Sequence, residues 1–213
     1  MFHDMGTGVG ERVSGQVRQH SDDSIVYPEM TPLRYKEDRA TQAAAYLLKL
    51  RGKPMSYMKL IKLMYFADRE ALLTLGRPIT YDRWVSMQHG PVLSRTYDLI
   101  SDEPLPGEAS YWHKHISGIV GNREVELLSP NPPGDQLSEA QEKILEAVFK
   151  KWGKLSRYQV RDATHLLPEY TQTVSSIPIS YRAVLLLEGR SEAEAREIES
   201  NLEAEEYLAQ LAG

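Results

Sequence analysis

Residues Lys59 to Ile100 read KLIKLMYFADREALLTLGRPITYDRWVSMQHGPVLSRTYDLI. Leu60, Leu63, Met64, Ala67 and Ala71 recur at helical spacing until Gly76, the pattern of a helix with an apolar face. Gly76-Arg77-Pro78 stops that helix. Tyr81 to Gln88 fits a strand and an irregular segment equally. His89-Gly90-Pro91-Val92 then leads into a short helix over Val92 to Ile100, which Pro104 and Pro106 break.

Working outward, Asp38 to Leu50 reads as a helix. Ala43, Ala44, Leu47, Leu48 and Leu50 lie on its apolar side, and Gly52 stands where a C-terminal glycine is expected. Pro54 and Ser56 open the next helix, so the two should form an antiparallel pair across a short turn. Trp112 to Val120 and Glu124 to Leu128 alternate polar and apolar residues around Gly121-Asn122, which predicts a hairpin. Ser138 with Gln141, and Ser156 with Gln159, form capping-box patterns for helices ending at Gly153 and near His165. The first of these carries Ile144, Leu145, Val148, Phe149 and Trp152 on one side. Tyr181 to Leu187 is short and apolar and fits a buried helix or a strand. Ser191 with Glu194 opens a last helix toward Leu211. No internal repeat is present. The expected fold is a mainly helical α+β domain with one small antiparallel hairpin or sheet. It runs over residues 33–187, after a flexible tail at 1–32 and before an acidic helix at 188–213. The tail is polar, carries four glycines, and offers later starts at Met5 and Met30.

Composition narrows the function classes. The chain has 213 residues, 41% hydrophobic and 26% charged, as in an ordinary soluble globular domain. With no cysteine there are no disulfides, thiolate nucleophiles or cysteine zinc sites. No apolar run approaches the ~20 residues that span a bilayer, and the start lacks the apolar stretch of a signal peptide, so the expected location is the cytoplasm. A net charge of -5 argues against nucleic acid as the main partner and suits a basic protein partner.

The candidate chemistry is sparse. Asp68 and Glu70 are two apart on a helix and do not face each other, so Asp68 is expected as a buried partner for a turn amide or for Arg83. His113 and His115 share a face if they lie on a strand, yet no third ligand is near, so no metal and no cofactor are expected. Phosphate-loop, dinucleotide and nucleophile-elbow motifs are absent, and an enzyme is not expected. The Lys49, Arg51, Lys53, Lys59 and Lys62 charges suggest a helix-turn-helix, but Pro54 in the turn and the apolar second helix speak against it. In His89-Gly90-Pro91-Val92 the glycine supplies unusual dihedrals, the proline a helix start and the valine a core contact. A loop so fixed also makes a binding surface. From Glu188 to Glu206 eight glutamates stand against Arg190 and Arg196, with Ile198, Leu202, Leu208 and Leu211 as an apolar stripe. That helix either docks on its own domain or reaches out to a basic partner.

Four motifs in order carry a resemblance. They are Lys62-Leu63-Met64-Tyr65-Phe66-Ala67-Asp68, Gly76-Arg77-Pro78-Ile79, Trp84, and His89-Gly90-Pro91-Val92, followed later by Thr164-His165. Together they resemble the SocA-like antitoxin family, whose domain is called Panacea, over roughly Lys36 to Tyr181. Where the family often has Pro-Trp after the Thr-His pair, this chain has Pro168-Glu169-Tyr170. The resemblance implies an antitoxin of a two-gene system that binds a cognate protein toxin. Relatives serve very different toxins, and at least one is thought to deliver its toxin to a cytoplasmic protease. Direct masking, delivery to such a protease and autoregulating DNA binding therefore stand side by side, in that order. Expected anchors for the partner are Tyr81, Trp84, His89 and Tyr97 around the motif turn, with the acidic helix. Lys62, Leu63, Tyr65, Asp68, Gly76, Pro78, Gly90, Pro91, Val92, Thr164 and His165 are expected to serve the fold. Oligomeric state is left open.

Overall fold

The structure, a computed structural model, describes residues 33–101 and 110–212. The expected tail at 1–32 lies outside the described residues. The first helix, α1 (Glu37–Arg51), ends at Gly52, whose φ of 66° is the left-handed cap that glycine adopts without a Cβ penalty. β1 (Met55–Ser56) leads directly into α2 (Tyr57–Leu75). Every residue of α2 from Lys59 to Arg69 is buried. A helix covered on all sides is the centre of its domain, and α1, α3, α5, α6 and α7 all pack against this one.

The stretch after α2 builds a small sheet. β2 (Trp84–Ser86) pairs antiparallel with β3 (Val92–Leu93) on one side and with β5 (Ile177–Ile179) on the other. Tyr81 to Gln88, ambiguous in sequence, thus contains the central strand. A second, two-stranded sheet joins β1 to β4 (Glu124–Val125). The domain is mainly helical α+β, with two small antiparallel sheets where one was expected.

Between the sheets run α3 (Ser94–Ser101) and α4 (Tyr111–His115), followed by α5 (Glu139–Trp152) and α6 (Arg157–His165). α7 (Tyr181–Leu187) and α8 (Glu192–Ala212) close the chain, so the apolar run at 181–187 is a helix. Both expected capping boxes form, with Ser138 and Ser156 accepting from the Gln141 and Gln159 amides. Phe66 of α2 stacks on Trp152 of α5 at 4.9 Å.

Two expectations are corrected. Val92 and Leu93, expected to open the helix after Pro91, form β3 by pairing with β2, and that helix starts at Ser94. The first strand of the predicted hairpin is absent, because residues 111–115 are a helix and only single bridges, Ile116 to Leu127 and Val120 to Glu124, cross the turn. The cause is tertiary. Trp112 is buried, and its amide donates to the Glu37 carboxylate of α1 at 3.0 Å. His113 and His115 therefore sit on a short helix, His113 paired to Ser110 at 2.9 Å and His115 edge-on to Tyr111.

α8 docks on its own domain. Ala195, Leu202 and Glu206 are buried and Ile198 half-buried, while Leu208 and Leu211 of the expected stripe are exposed. Its carboxylates reach back to the core: Glu206 accepts from the Arg34 amide, Glu205 from the Tyr81 hydroxyl, and Glu199 from Arg182.

α2 is tied to the sheet by Asp68. Its buried carboxylate accepts from the Ile79 amide at 3.0 Å, the Thr80 amide at 2.9 Å, the Thr80 hydroxyl at 2.6 Å and Trp84 Nε1 at 3.3 Å. The expected turn-amide role is therefore the observed one, and Arg83 is exposed. Asp68→Ala leaves several buried donors without acceptors, each costing ~1–3 kcal/mol. We expect a loss of about 3 kcal/mol or more, read as a lower urea midpoint; an unchanged midpoint would refute this role.

Candidate functional site

The motif residues converge on one place, where the His89–Val92 turn crosses α2 and the end of α6. Lys62 of α2 is buried, and its Nζ donates to the Pro91 carbonyl at 2.7 Å. Gly90 has φ 89°, and a Cβ there would lie 2.6 Å from Thr164 Oγ1 and 2.9 Å from His165 Cδ2. Only glycine fits both the dihedral and the space. Thr164 is buried and donates to the Arg161 carbonyl at 2.7 Å, the back-bond expected of a threonine near a helix end. Burial holds the His165 imidazole below its usual range. Its ring stacks on Tyr170 at 4.5 Å.

The Pro168-Glu169-Tyr170 segment has a structural use. Glu169 is buried and accepts from the Tyr65 hydroxyl at 2.9 Å and from Arg69 Nε at 2.8 Å, so one carboxylate ties α2 to the segment after α6. Tyr65 and Arg69 stand four apart on α2, the spacing that puts two side chains on one face. That spacing is the sequence signal for such an acceptor.

The remaining residues hold this frame. Leu63 lies in the core, Gly76 caps α2 with φ 68°, Pro78 and Pro91 are buried, and Val92 pairs with Val85. The four expected anchors divide. Trp84 is 1% exposed, between Tyr65 at 5.2 Å and Tyr181 at 4.5 Å. Tyr81 is also buried, and its hydroxyl donates to Glu205 at 2.6 Å. Neither presents a side chain to a partner while the core is closed. His89 is exposed and Tyr97 half-buried.

His89 and Tyr97 line the same cleft, of about 310 Å³. Its wall is formed by Tyr57, Met58, Ile61 and Lys62 of α2, by Met87, Gln88, Gly90 and Val92 of the turn, and by Val174 and Ser175. Val174 is 96% exposed at its edge. Sequence reading missed Met58, Met87 and Val174; nothing in their local pattern places three distant segments at one opening. Beneath the cleft, burial holds the Lys62 amine down at about 7, because an ammonium loses its hydration there. Asp68, deeper still, has its carboxyl pushed up to about 7 by burial, opposed by its Thr80 and Trp84 hydrogen bonds. Among the described residues, no group of three or more His, Asp or Glu side chains is placed to hold a metal ion, and no helix is long and apolar enough to cross a membrane.

Two expected outcomes test this frame. Gly90→Ala forces a methyl into Thr164 and onto a left-handed backbone, and should cost about 2–4 kcal/mol in denaturant unfolding. For Lys62, the folded value lies below the ordinary lysine value of 10.5. The unfolded chain then binds more protons between the two, so the lysine's contribution is full above pH 10.5 and is lost as pH falls toward 7. The stability of the wild type relative to Lys62→Met should therefore rise by ~1 kcal/mol per pH unit between pH 7 and 10. A flat difference would show that the amine is not desolvated.

A family model described as antitoxin SocA-like, Panacea domain, matches residues 60–169, more than half of the chain. The match includes Lys62, Gly90, Thr164 and Glu169 but not Tyr170, Tyr181 or Glu205, and is narrower than the range over which the motifs suggested a likeness. No curated protein and no solved structure matches. With its motif residues built into one frame, this chain belongs to the SocA-like antitoxin family and carries its Panacea domain.

Proposed function

We propose that the chain is the antitoxin of a two-gene toxin–antitoxin system, and that it neutralises its cognate protein toxin by direct, stoichiometric binding in the cytoplasm. Nothing is turned over in this reading, and no cofactor takes part. The supporting observation is the division of labour in the motif turn. Lys62, Gly90 and Thr164 hold the loop from below, while His89, Gln88 and Val174 face outward around the cleft. A rigid loop on a fixed scaffold loses little entropy on docking.

The chemistry of the rim suits a protein surface. Met58 and Met87 are flexible thioethers that repack around different neighbours, and Tyr97 offers an aromatic anchor with a polar tip. A stable complex buries about 1,600 Å² in all. The cleft would be the centre of such a patch, where the few residues that dominate affinity cluster.

The test is growth of cells expressing the neighbouring reading frame, with and without this chain. Toxicity that the chain reverses supports the reading, and irreversible or absent toxicity removes it. His89→Ala combined with Tyr97→Ala, in protein that melts as the wild type does, should then weaken toxin binding by at least about thirty-fold. Undiminished neutralisation by that variant would move the docking surface elsewhere on the molecule.

A further inference from the structure

The chain's acidity is concentrated in one element. Eight glutamates against two arginines between Glu188 and Glu206 exceed the whole net charge of -5, so the rest of the chain is close to neutral. The whole-chain balance, which argues against nucleic acid, therefore says little about any other face. Salt limits the reach of exposed charges to a Debye length of ~8 Å at physiological ionic strength.

At the α5–α6 turn the local balance is reversed. From Lys150 to Arg161 the chain carries five cations and no acid. Lys150, Lys151 and Lys154 are exposed and, among the described residues, make no ion pair. The end of α1 and the start of α2 add to the cluster. Lys59 Nζ donates to the Gly153 and Leu155 carbonyls, both at 2.6 Å, and burial, then the neighbouring charges of Arg51 and Lys53, lower its pKa. Arg51 Nε is buried there without a hydrogen-bond partner. Among these cations stands an aromatic ring. Tyr158 is 50% exposed, with the Arg157 guanidinium 4.9 Å and that of Arg161 5.5 Å from its centroid. Arg157 also donates to the Tyr158 hydroxyl at 3.0 Å, and Arg161 is ion-paired with Asp162 at 2.6 Å.

We propose that this face binds single-stranded nucleic acid, Lys150, Lys151, Lys154 and Arg157 holding successive phosphates while the exposed part of Tyr158 stacks on a base. Cations beside an exposed aromatic form the usual platform for a strand without sequence preference. Duplex DNA is a poorer fit, because the cations are spread over the end of α5, the turn and the start of α6 rather than along one helix that could lie in a groove. The inference stands apart from the antitoxin reading and does not rest on it.

The experiment is fluorescence anisotropy of the full chain with labelled oligo(dT) and oligo(rU) of about 20 nucleotides, and with a duplex of equal length, at about 50 mM salt. Expected is binding to the single strands with a logarithmic salt slope of about -2 to -3, at roughly -0.7 per phosphate contacted. The combined substitution Lys150→Glu, Lys154→Glu and Arg157→Glu should abolish it, with melting curves confirming that the variant folds. Tyr158→Ala should weaken single-strand binding by at least about five-fold and leave duplex binding unchanged. No anisotropy change with wild-type protein would overturn the proposal. So would tight duplex binding with a silent Tyr158→Ala, which indicates a phosphate-only surface. Displacement by poly-glutamate at equal charge concentration would assign the face to an acidic protein instead.

Discussion

A buried carboxylate with four donors holds this molecule together. Asp68 sits inside the central helix and receives the Ile79 and Thr80 amides, the Thr80 hydroxyl and the Trp84 indole. Those groups open the segment that becomes the three-stranded sheet. An anion away from water is expensive unless its lone pairs are satisfied, and here one side chain satisfies the donors of a turn that could not pair with itself. The turn after α2 is thus fixed against the helix it leaves. Asp82 repeats the device two residues past that turn, accepting from the Arg95 and Thr96 amides at the start of α3.

From this anchor the frame extends to the motif turn. Trp84, held by Asp68, places β2; β2 and β3 bracket the His89–Val92 turn, and Lys62 and Thr164 close on it from either side. Three polar or charged groups from α2, Lys62, Tyr65 and Asp68, each bind a different later segment. Each buried group is costly alone and stabilising when paired, so together they define one arrangement of the surrounding pieces. The apolar core of α2 would tolerate several.

The outer surface divides in the same economical way. Glu199, Glu205 and Glu206 of α8 turn inward to Arg182, Tyr81 and Arg34 and fasten that helix to the domain. The lysines of the α5–α6 turn stay in solvent. The cleft beside His89 is mostly apolar with one desolvated amine under it. These are three chemically distinct faces on a domain whose average charge resembles none of them.

Much of this was legible in the sequence. The helices with clear period and caps, α1, α2, α5, α6 and α8, follow from local chemistry: apolar residues three and four apart, serine caps answered three residues on, and glycine at the left-handed ends of α1 and α2. Asp68 at the end of a family motif, beside a glycine-ended helix, was readable as a partner for turn amides. What the sequence by itself did not decide were the outcomes set by distant contacts. An aromatic residue is equally at home in a core or an interface, so Trp84 and Tyr81 were separable from Tyr97 only once Tyr181 and Glu205 had closed over them. The period at 112–116 fitted a strand until Glu37 of α1 captured the start of that segment as a helix. The sequence determined which segments form helices and which motif residues belong together, because hydrogen bonds within a few residues specify those. Only the tertiary structure decided which side chains face a partner, because exposure depends on what the rest of the chain has covered.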